Sequence, residues 1–255
     1  MAVLDQFRLD GETAIVTGGG QGIGKAIADA YAEVGANVVV ANRSEESCQA
    51  AATEIAEAHG TDTLAVPTDV TEDEEVQALI DATVEEFGGL DILVNNAGIA
   101  QHNPVSEKSI AEFEETIDVN LTGAYRCAKF AEDELRSASG VIVNISSNAA
   151  FIANYPQHQV DYQASKGGME AFKNQLASEW ADDGVRVNNI NPGYTDTGII
   201  AEVDESWVET WREEMLLDEF ADPEDIAPLA VYLASDAASY VTGASVVIDG
   251  GYVVR

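Results

Sequence analysis

The sequence predicts an α/β protein: a single doubly wound parallel β-sheet of about seven strands with helices on both faces. Short apolar runs rich in β-branched residues alternate with segments whose apolar residues recur at helical spacing. The strand-like runs are apolar throughout, as strands covered on both faces are. A glycine-rich loop leaves the first strand and opens the first helix, the arrangement of a dinucleotide-binding unit. No linker, internal repeat or low-complexity tract interrupts the 255 residues. We therefore expect one dinucleotide-binding catalytic domain over 1–255, with a substrate-loop insertion near 195–221.

TAIVTG (13–18) is the first strand, and GIGKAIADAYAEVG (22–35) the first helix, stopping at Gly35. NVVVAN (37–42) is the second strand. SEESCQAAATEIAEAHG (44–60) begins on a serine cap and ends at glycine. TLAVPTDV supplies the third strand, and residues 71–88 a third helix with a threonine cap and an acidic first turn. LDILVNNAG (90–98) is the fourth strand, and one long helical zone is expected from Ser109 to Ala138. GVIVNISS (140–147) is the fifth strand, followed by a helix carrying Tyr162. VRVNNINPG (185–193) is the sixth strand. Residues 199–220 read as helical, acidic and irregular, 223–235 as the final helix, and ASVVIDGG as the last strand.

Twelve Lys plus Arg face 46 Asp plus Glu, a formal net charge of −34. A nucleic-acid partner is excluded, because no basic patch exists to displace phosphate counterions. Such a surface repels itself in dilute buffer. In roughly 1 M salt the screening length falls to about 3 Å, so an extreme halophile's salt-rich cytoplasm is the expected setting. No apolar run reaches the roughly 18 residues of a membrane span. The opening MAVLDQFRLDGE lacks the basic and apolar stretches of a secretory signal. Cys48 and Cys127 have no CxxC partner and read as free thiols. These features point to a cytoplasmic protein.

In TGGGQGIG (17–24), Gly18, Gly22 and Gly24 are spaced G-x-x-x-G-x-G. Glycine lets backbone approach a pyrophosphate seated on the helix N-terminus. Thr17, Gly18, Gln21, Gly22, Ile23 and Gly24 are thus candidate cofactor residues. An acidic residue ending the second strand would bind ribose hydroxyls and repel a 2′-phosphate. This strand ends instead at Asn42 and Arg43. Arg43 can grip a phosphate, which favours NADP over NAD, or it can pair with Glu46. Asp69, followed by Val70, either accepts from the adenine amino group or caps a turn. Asn95, Ala97 and Gly98 end the fourth strand beside the expected crevice; Asn95 alternatively ties strands together.

Taken together, TGGGQGIG, NNAG (95–98), Asn120 in VNLTGAY, NISS (144–147), YQASK (162–166), NPGYTDT (191–197) and VTGASVVIDGG resemble the short-chain dehydrogenase/reductase family. The resemblance runs from Thr17 to Gly251. It implies a catalytic tetrad at Asn120, Ser147, Tyr162 and Lys166. It also implies nicotinamide contacts from Pro192, Gly193, Thr195 and Thr197, and a homotetramer. ANYPQHQVDY lengthens the Ser147–Tyr162 interval to fifteen residues and resembles the N-x-P-Q-x-Q loop of polyol and sugar dehydrogenases. Asn148-Ala149-Ala150 stands where such enzymes often have glycine, and Asp218 where relatives commonly carry arginine.

The residue types suit hydride transfer between an alcohol carbon and a nicotinamide, for which the protein supplies one proton donor or acceptor. A free tyrosine, with a pKa of about 10, is too weak a proton acceptor at neutral pH. Lys166 stands one helical turn beyond Tyr162, where an ammonium would favour the phenolate; both side chains also reach the cofactor. Ser147 would hold the substrate oxygen, and Asn120 would anchor a proton-relaying water. Tyr155 has Gln159, not lysine, four residues on. Asn148, Asn154, Gln157 and Gln159 offer amides suited to hydroxyl groups, and we place Ser147, Asn154, Gln157, His158 and Tyr194 against the substrate. Trp207 and Trp211, four apart, form either a wall with Tyr194 or the packed face of a helix. His59 closes a helix, and His102 lies in a loop near the mouth. No Cys, His and carboxylate cluster has zinc-ligand spacing, so no metal is expected.

The predicted function is an NAD(P)-dependent oxidoreductase acting on a sugar, polyol or sugar acid. A 3-oxoacyl thioester reductase would need a basic patch to dock an acidic carrier. A nucleotide-sensing regulator without catalysis would have no use for Tyr162 and Lys166.

Overall fold

The computed structural model describes residues 2–198 and 205–255. Seven strands, β1 (Thr13–Thr17), β2 (Asn37–Asn42), β3 (Thr63–Pro67), β4 (Ile92–Asn95), β5 (Val141–Ile145), β6 (Arg186–Pro192) and β7 (Ser245–Ile248), form one sheet. Every pairing is parallel, in the order β3-β2-β1-β4-β5-β6-β7. The winding direction switches between β1 and β4. A crevice opens at such a point beyond the strands' carboxyl ends.

The helices are α1 (Gly22–Glu33), α2 (Glu45–His59), α3 (Asp73–Phe87), α4 (Ile110–Ile117), α5 (Gly123–Phe130), α6 (Glu132–Ala138), α7 (Val160–Glu179), α8 (Glu205–Glu214) and α9 (Pro223–Ala234). Successive strand residues face opposite sides of the sheet, so both faces must be covered. Ala14 and Val16 of β1 pack with Ile27, Tyr31 and Ile226 of α1 and α9. Ile15 between them packs with Leu79, Leu93, Leu176 and Trp180 on the other side, under α3 and α7. Burying one such aliphatic side chain contributes about 1.5–3 kcal/mol, which is why these strands carry no polar face. Cys48 and Cys127 are buried and unpaired; burial pushes the Cys127 thiol up to about 12. Among the described residues no helix is long and apolar enough to cross a membrane.

Several expected boundaries shift for local reasons. Thr71 does not cap α3: its hydroxyl and amide both donate to Asp69 Oδ1, at 2.7 and 2.9 Å, and the helix begins at Asp73. The fourth strand stops at Asn95 because the amides of Asn96 and Ala97 turn to Thr17 Oγ1, at 3.0 and 3.1 Å. The helical zone from Ser109 to Ala138 is broken. Ser109 and Glu112 cap α4 reciprocally, at 3.2 and 2.6 Å. A π-helical turn, Asp118–Thr122, separates α4 from α5, and Ala131 separates α5 from α6. Of the zone 199–220, residues 199–204 lie outside the described residues and α8 follows them. His59 does more than close α2: its Nε2 meets Asp29 of α1 at 3.0 Å.

Candidate active site

The glycine loop connects β1 to α1 at the switch point. Gly18 and Gly22 have φ of +64° and +52°, a region that side chains rarely enter. A Cβ on Gly18 would stand 2.7 Å from the Asn96 amide nitrogen. That same nitrogen donates to the carbonyls of Thr17 and Gly18, at 2.9 and 3.2 Å, and so holds the loop open. A cavity of about 260 Å³ lies over it, lined by Gly18, Gln21, Gly22, Ile23, Asn42, Arg43, Asp69, Val70, Ala97 and Gly98. Bare backbone at a helix N-terminus suits a pyrophosphate, so these residues fit a dinucleotide. Arg43 makes no ion pair among the described residues, with Glu46 or any other acid. Asp69 combines both expected roles, lining the cavity while capping the turn at Thr71.

Three expected cofactor residues stand behind this surface. Thr17 is buried, and its hydroxyl donates to the Val94 carbonyl at 3.1 Å. Gly24 packs where a Cβ would run into the Gly18 carbonyl and the Asn96 amide. Asn95 ties strands together. Its amide donates to Asn144 Oδ1 and that of Asn144 to Asn189 Oδ1, both at 2.9 Å, a side-chain ladder across β4, β5 and β6. Glu170 of α7 continues it, accepting from Asn189 and Asn191 at 2.9 and 2.7 Å. Asn191 in turn donates to the Ser147 carbonyl at 3.1 Å.

A second cavity of about 350 Å³ holds Ser147, Tyr162, Lys166, Pro192, Gly193, Tyr194, Thr195 and Thr197. It shares Ile23, Asn96, Gly98, Ile99 and Thr197 with the first, so the two are halves of one cleft. Lys166 Nζ lies 5.5 Å from the Tyr162 ring centroid and donates to the Ile145 carbonyl at 2.8 Å. Burial lowers Lys166 to about 8. Burial also raises Tyr162 above its usual value, against a hydrogen bond with Ser147 that draws it down. Desolvation thus opposes the charged form of both groups in this cleft. Ser147 Oγ accepts from the Ala149 amide at 3.1 Å. Tyr155 is largely exposed.

Asn120 lies in the π turn, a widened segment of the kind found at functional sites. Its Oδ1 accepts from the Ile99 amide at 2.8 Å, and its Nδ2 donates to the Ile99 carbonyl at 2.9 Å and to Ser165 Oγ at 3.2 Å. The side chain is thus a clamp on the segment after β4.

The substrate half is a net of amides. Gln157 donates to Tyr194 Oη at 2.8 Å and accepts from Trp211 Nε1 at 2.9 Å. Tyr194 stacks on Trp211, with centroids 4.3 Å apart. Asn154 donates to Asn148 Oδ1 at 3.3 Å and to Tyr194 Oη at 3.4 Å, and accepts from Gln159 at 3.4 Å. Asn148 reaches Asp249 Oδ2 at 3.5 Å. Gln157 and Asn154 therefore shape the cleft by bracing its wall. His158 is exposed and outside the cleft, because alternate residues of its loop point inward and Gln157 and Gln159 take those places. Trp211 both packs and lines the cleft; Trp207 lies 6.2 Å from Trp211 and meets the His102 ring at 5.8 Å, and His102 also lines the cleft. Asn96 and His102, expected beside the crevice and near the mouth, line the cleft, whereas local spacing gave no sign of Ile99. Among the described residues no group of three or more His, Cys, Asp or Glu is placed to hold a metal.

Residues 18–253 match the family model described as enoyl-(acyl carrier protein) reductase. The chain is 40% identical over 255 residues to D-threitol dehydrogenase of Mycolicibacterium smegmatis, covering 98% of this chain and 95% of that one. It is 42% identical over 247 residues to 3beta-hydroxysteroid dehydrogenase 1 of Eggerthella lenta, covering 95% and 94%. The structure of a gluconate 5-dehydrogenase from Burkholderia cenocepacia in complex with NADP and tartrate superposes with a TM-score of 0.93 at 30% identity, covering 99% of each chain. The glycine loop, the cleft at the switch point and these likenesses agree: the chain belongs to the short-chain dehydrogenase/reductase family and is an NAD(P)-dependent oxidoreductase.

Proposed function

We propose that this enzyme interconverts a secondary alcohol and a ketone on a sugar, polyol or sugar acid, with Tyr162 as general acid and base. The observation carrying this reading is the company Tyr162 keeps. It shares one cavity with Ser147, Lys166 and the amides of Asn148, Asn154, Gln157 and Gln159. A substrate rich in hydroxyls can exchange hydrogen bonds with such a wall. A steroid offers such a wall few groups to bond with, so the polyol-type relative is the better guide to substrate than the steroid-type one. A carrier-bound thioester is disfavoured by the net charge of −34, which repels an acidic carrier.

A bound nicotinamide supplies the hydride acceptor or donor and, when oxidised, a positive charge favouring the Tyr162 phenolate. Tyr162 takes the hydroxyl proton during oxidation and returns it during reduction. Ser147 orients the substrate oxygen beside it. Lys166, held by the Ile145 carbonyl, stands beside the Tyr162 ring, where its ammonium favours the phenolate. Arg43, unpaired at the end of β2, supports a preference for NADP. The acidic surface supports a working environment of molar salt, and a homotetramer fits the family pattern. Steady-state assays of sugars, polyols and aldonates with both cofactors in molar salt test the reading. Turnover confined to apolar alcohols would sink it.

A further inference from the structure

Only five lysines are present in a chain of net charge −34. Lys108, Lys166 and Lys173 are nonetheless buried, with side chains of Lys108 and Lys173 3% and 4% exposed. Lys108 has no place in the proton-transfer chemistry above. Its Nζ lies 2.7 Å from Asp161 Oδ2 and 3.2 Å from the Gln101 carbonyl. Asp161, fully buried in the first turn of α7, precedes Tyr162 and also accepts from Thr116 Oγ1 at 2.7 Å. Removing two charges from water is costly, and an apolar pair of similar volume commonly serves stability as well or better. An interior pair in this position therefore points to a role in placement.

The segment joined to α7 by this pair forms no helix or strand between Asn96 and Ser109. It is fastened at one end by Asn120 on Ile99 and at the other by Lys108. His102 lies between the two fastenings, lines the cleft and meets the Trp207 ring. We propose that Lys108 and Asp161 are positioning residues that hold the His102 wall in register with Tyr162, so that a polyhydroxylated substrate is gripped with its reacting carbon at the phenol. This rests on the functional reading above.

The test compares K108M, D161N, the double variant K108M/D161N, H102A and the triple variant. The single variants leave a buried charge or its partner unmatched and lower the thermal midpoint. The double variant removes both charges, keeps an acceptor for Thr116 and recovers most of that midpoint. Its KM for the best polyol or sugar substrate stays raised by about tenfold or more, with kcat within about threefold, because misplacement by a fraction of an ångström is felt in binding. H102A raises KM to a similar extent, and the triple variant is no worse than either. Proton NMR gives a readout independent of turnover. The His102 imidazole signal, shifted by the Trp207 ring in the wild type, moves in the double variant while those of His59 and His158 stay. Recovery of KM together with the midpoint, multiplying effects in the triple variant, or an unmoved His102 signal would each overturn the inference. A wild-type enzyme that turns over only apolar alcohols removes the polyol reading instead, and the His102 signal then decides the positioning role by itself.

Discussion

The two halves of the cleft are built by opposite means. The cofactor half is mostly backbone: one eight-residue loop, left bare by Gly18 and Gly22, with Arg43 at its rim. The substrate half is mostly side chain. Ser147, Asn154, Gln157, Tyr194, Trp211 and His102 come from several segments, and Asn154, Gln157, Tyr194 and Trp211 brace one another. A ligand shared by many enzymes can be met by a fixed backbone shape. A particular substrate needs side chains, and side chains need neighbours that hold their rotamers.

The contrast can be broken or sharpened experimentally. The largest effect is expected from Y162F, which removes the proton carrier where the halves meet. Turnover should fall by about 10²–10⁴-fold while dinucleotide affinity, followed by cofactor fluorescence, stays within a factor of about three. Loss of both would place Tyr162 in the binding half. K166M should also abolish turnover yet raise stability at neutral pH. Lys166 binds its proton less tightly when folded, at about 8, than at its ordinary 10.5. Folding is therefore penalised below about pH 8, and the penalty fades as pH rises through the interval to 10.5. The difference, roughly 3 kcal/mol at 1.36 kcal/mol per pKa unit, should appear in urea melts at pH 7 and shrink at pH 10. R43D should weaken NADP binding about 10–100-fold, from the loss of a charge-assisted phosphate contact worth about 1.5–3 kcal/mol, and barely alter NAD; equal losses would show that Arg43 does not read the phosphate. Q157L leaves Trp211 Nε1 without an acceptor and Tyr194 Oη to the longer bond from Asn154. It should cost about 1–3 kcal/mol in stability and raise the substrate KM without touching cofactor affinity. A change in both affinities would mean that the substrate net also supports the cofactor half.

The same contrast explains how much was legible. The sheet and the glycine loop announce themselves locally, because apolar runs, glycines and caps act over a few residues. Tyr162 and Lys166 were legible because their helical spacing comes in company with the glycine loop and NISS; a lysine four residues after a tyrosine means little alone. His158 was misplaced because loop residues carry no period from which to read a direction. Thr71 reads as a helix cap until its contact with Asp69 is seen, and Asn95 had two chemically sound uses between which only the contact with Asn144 chooses. Lys108 and Asp161 are 53 residues apart, and Gln157 and Trp211 are 54 apart. Pairings of that range leave no trace in local pattern.

The asparagine ladder has a practical corollary. Since Asn95, Asn144 and Asn189 lock three adjacent strands beneath the cleft, the reaction centre stands on a foundation that meets the specificity net at the Ser147 backbone, held by Asn191. Retargeting the enzyme to another alcohol can then be confined to the upper storey, with the proton-handling machinery inherited unchanged.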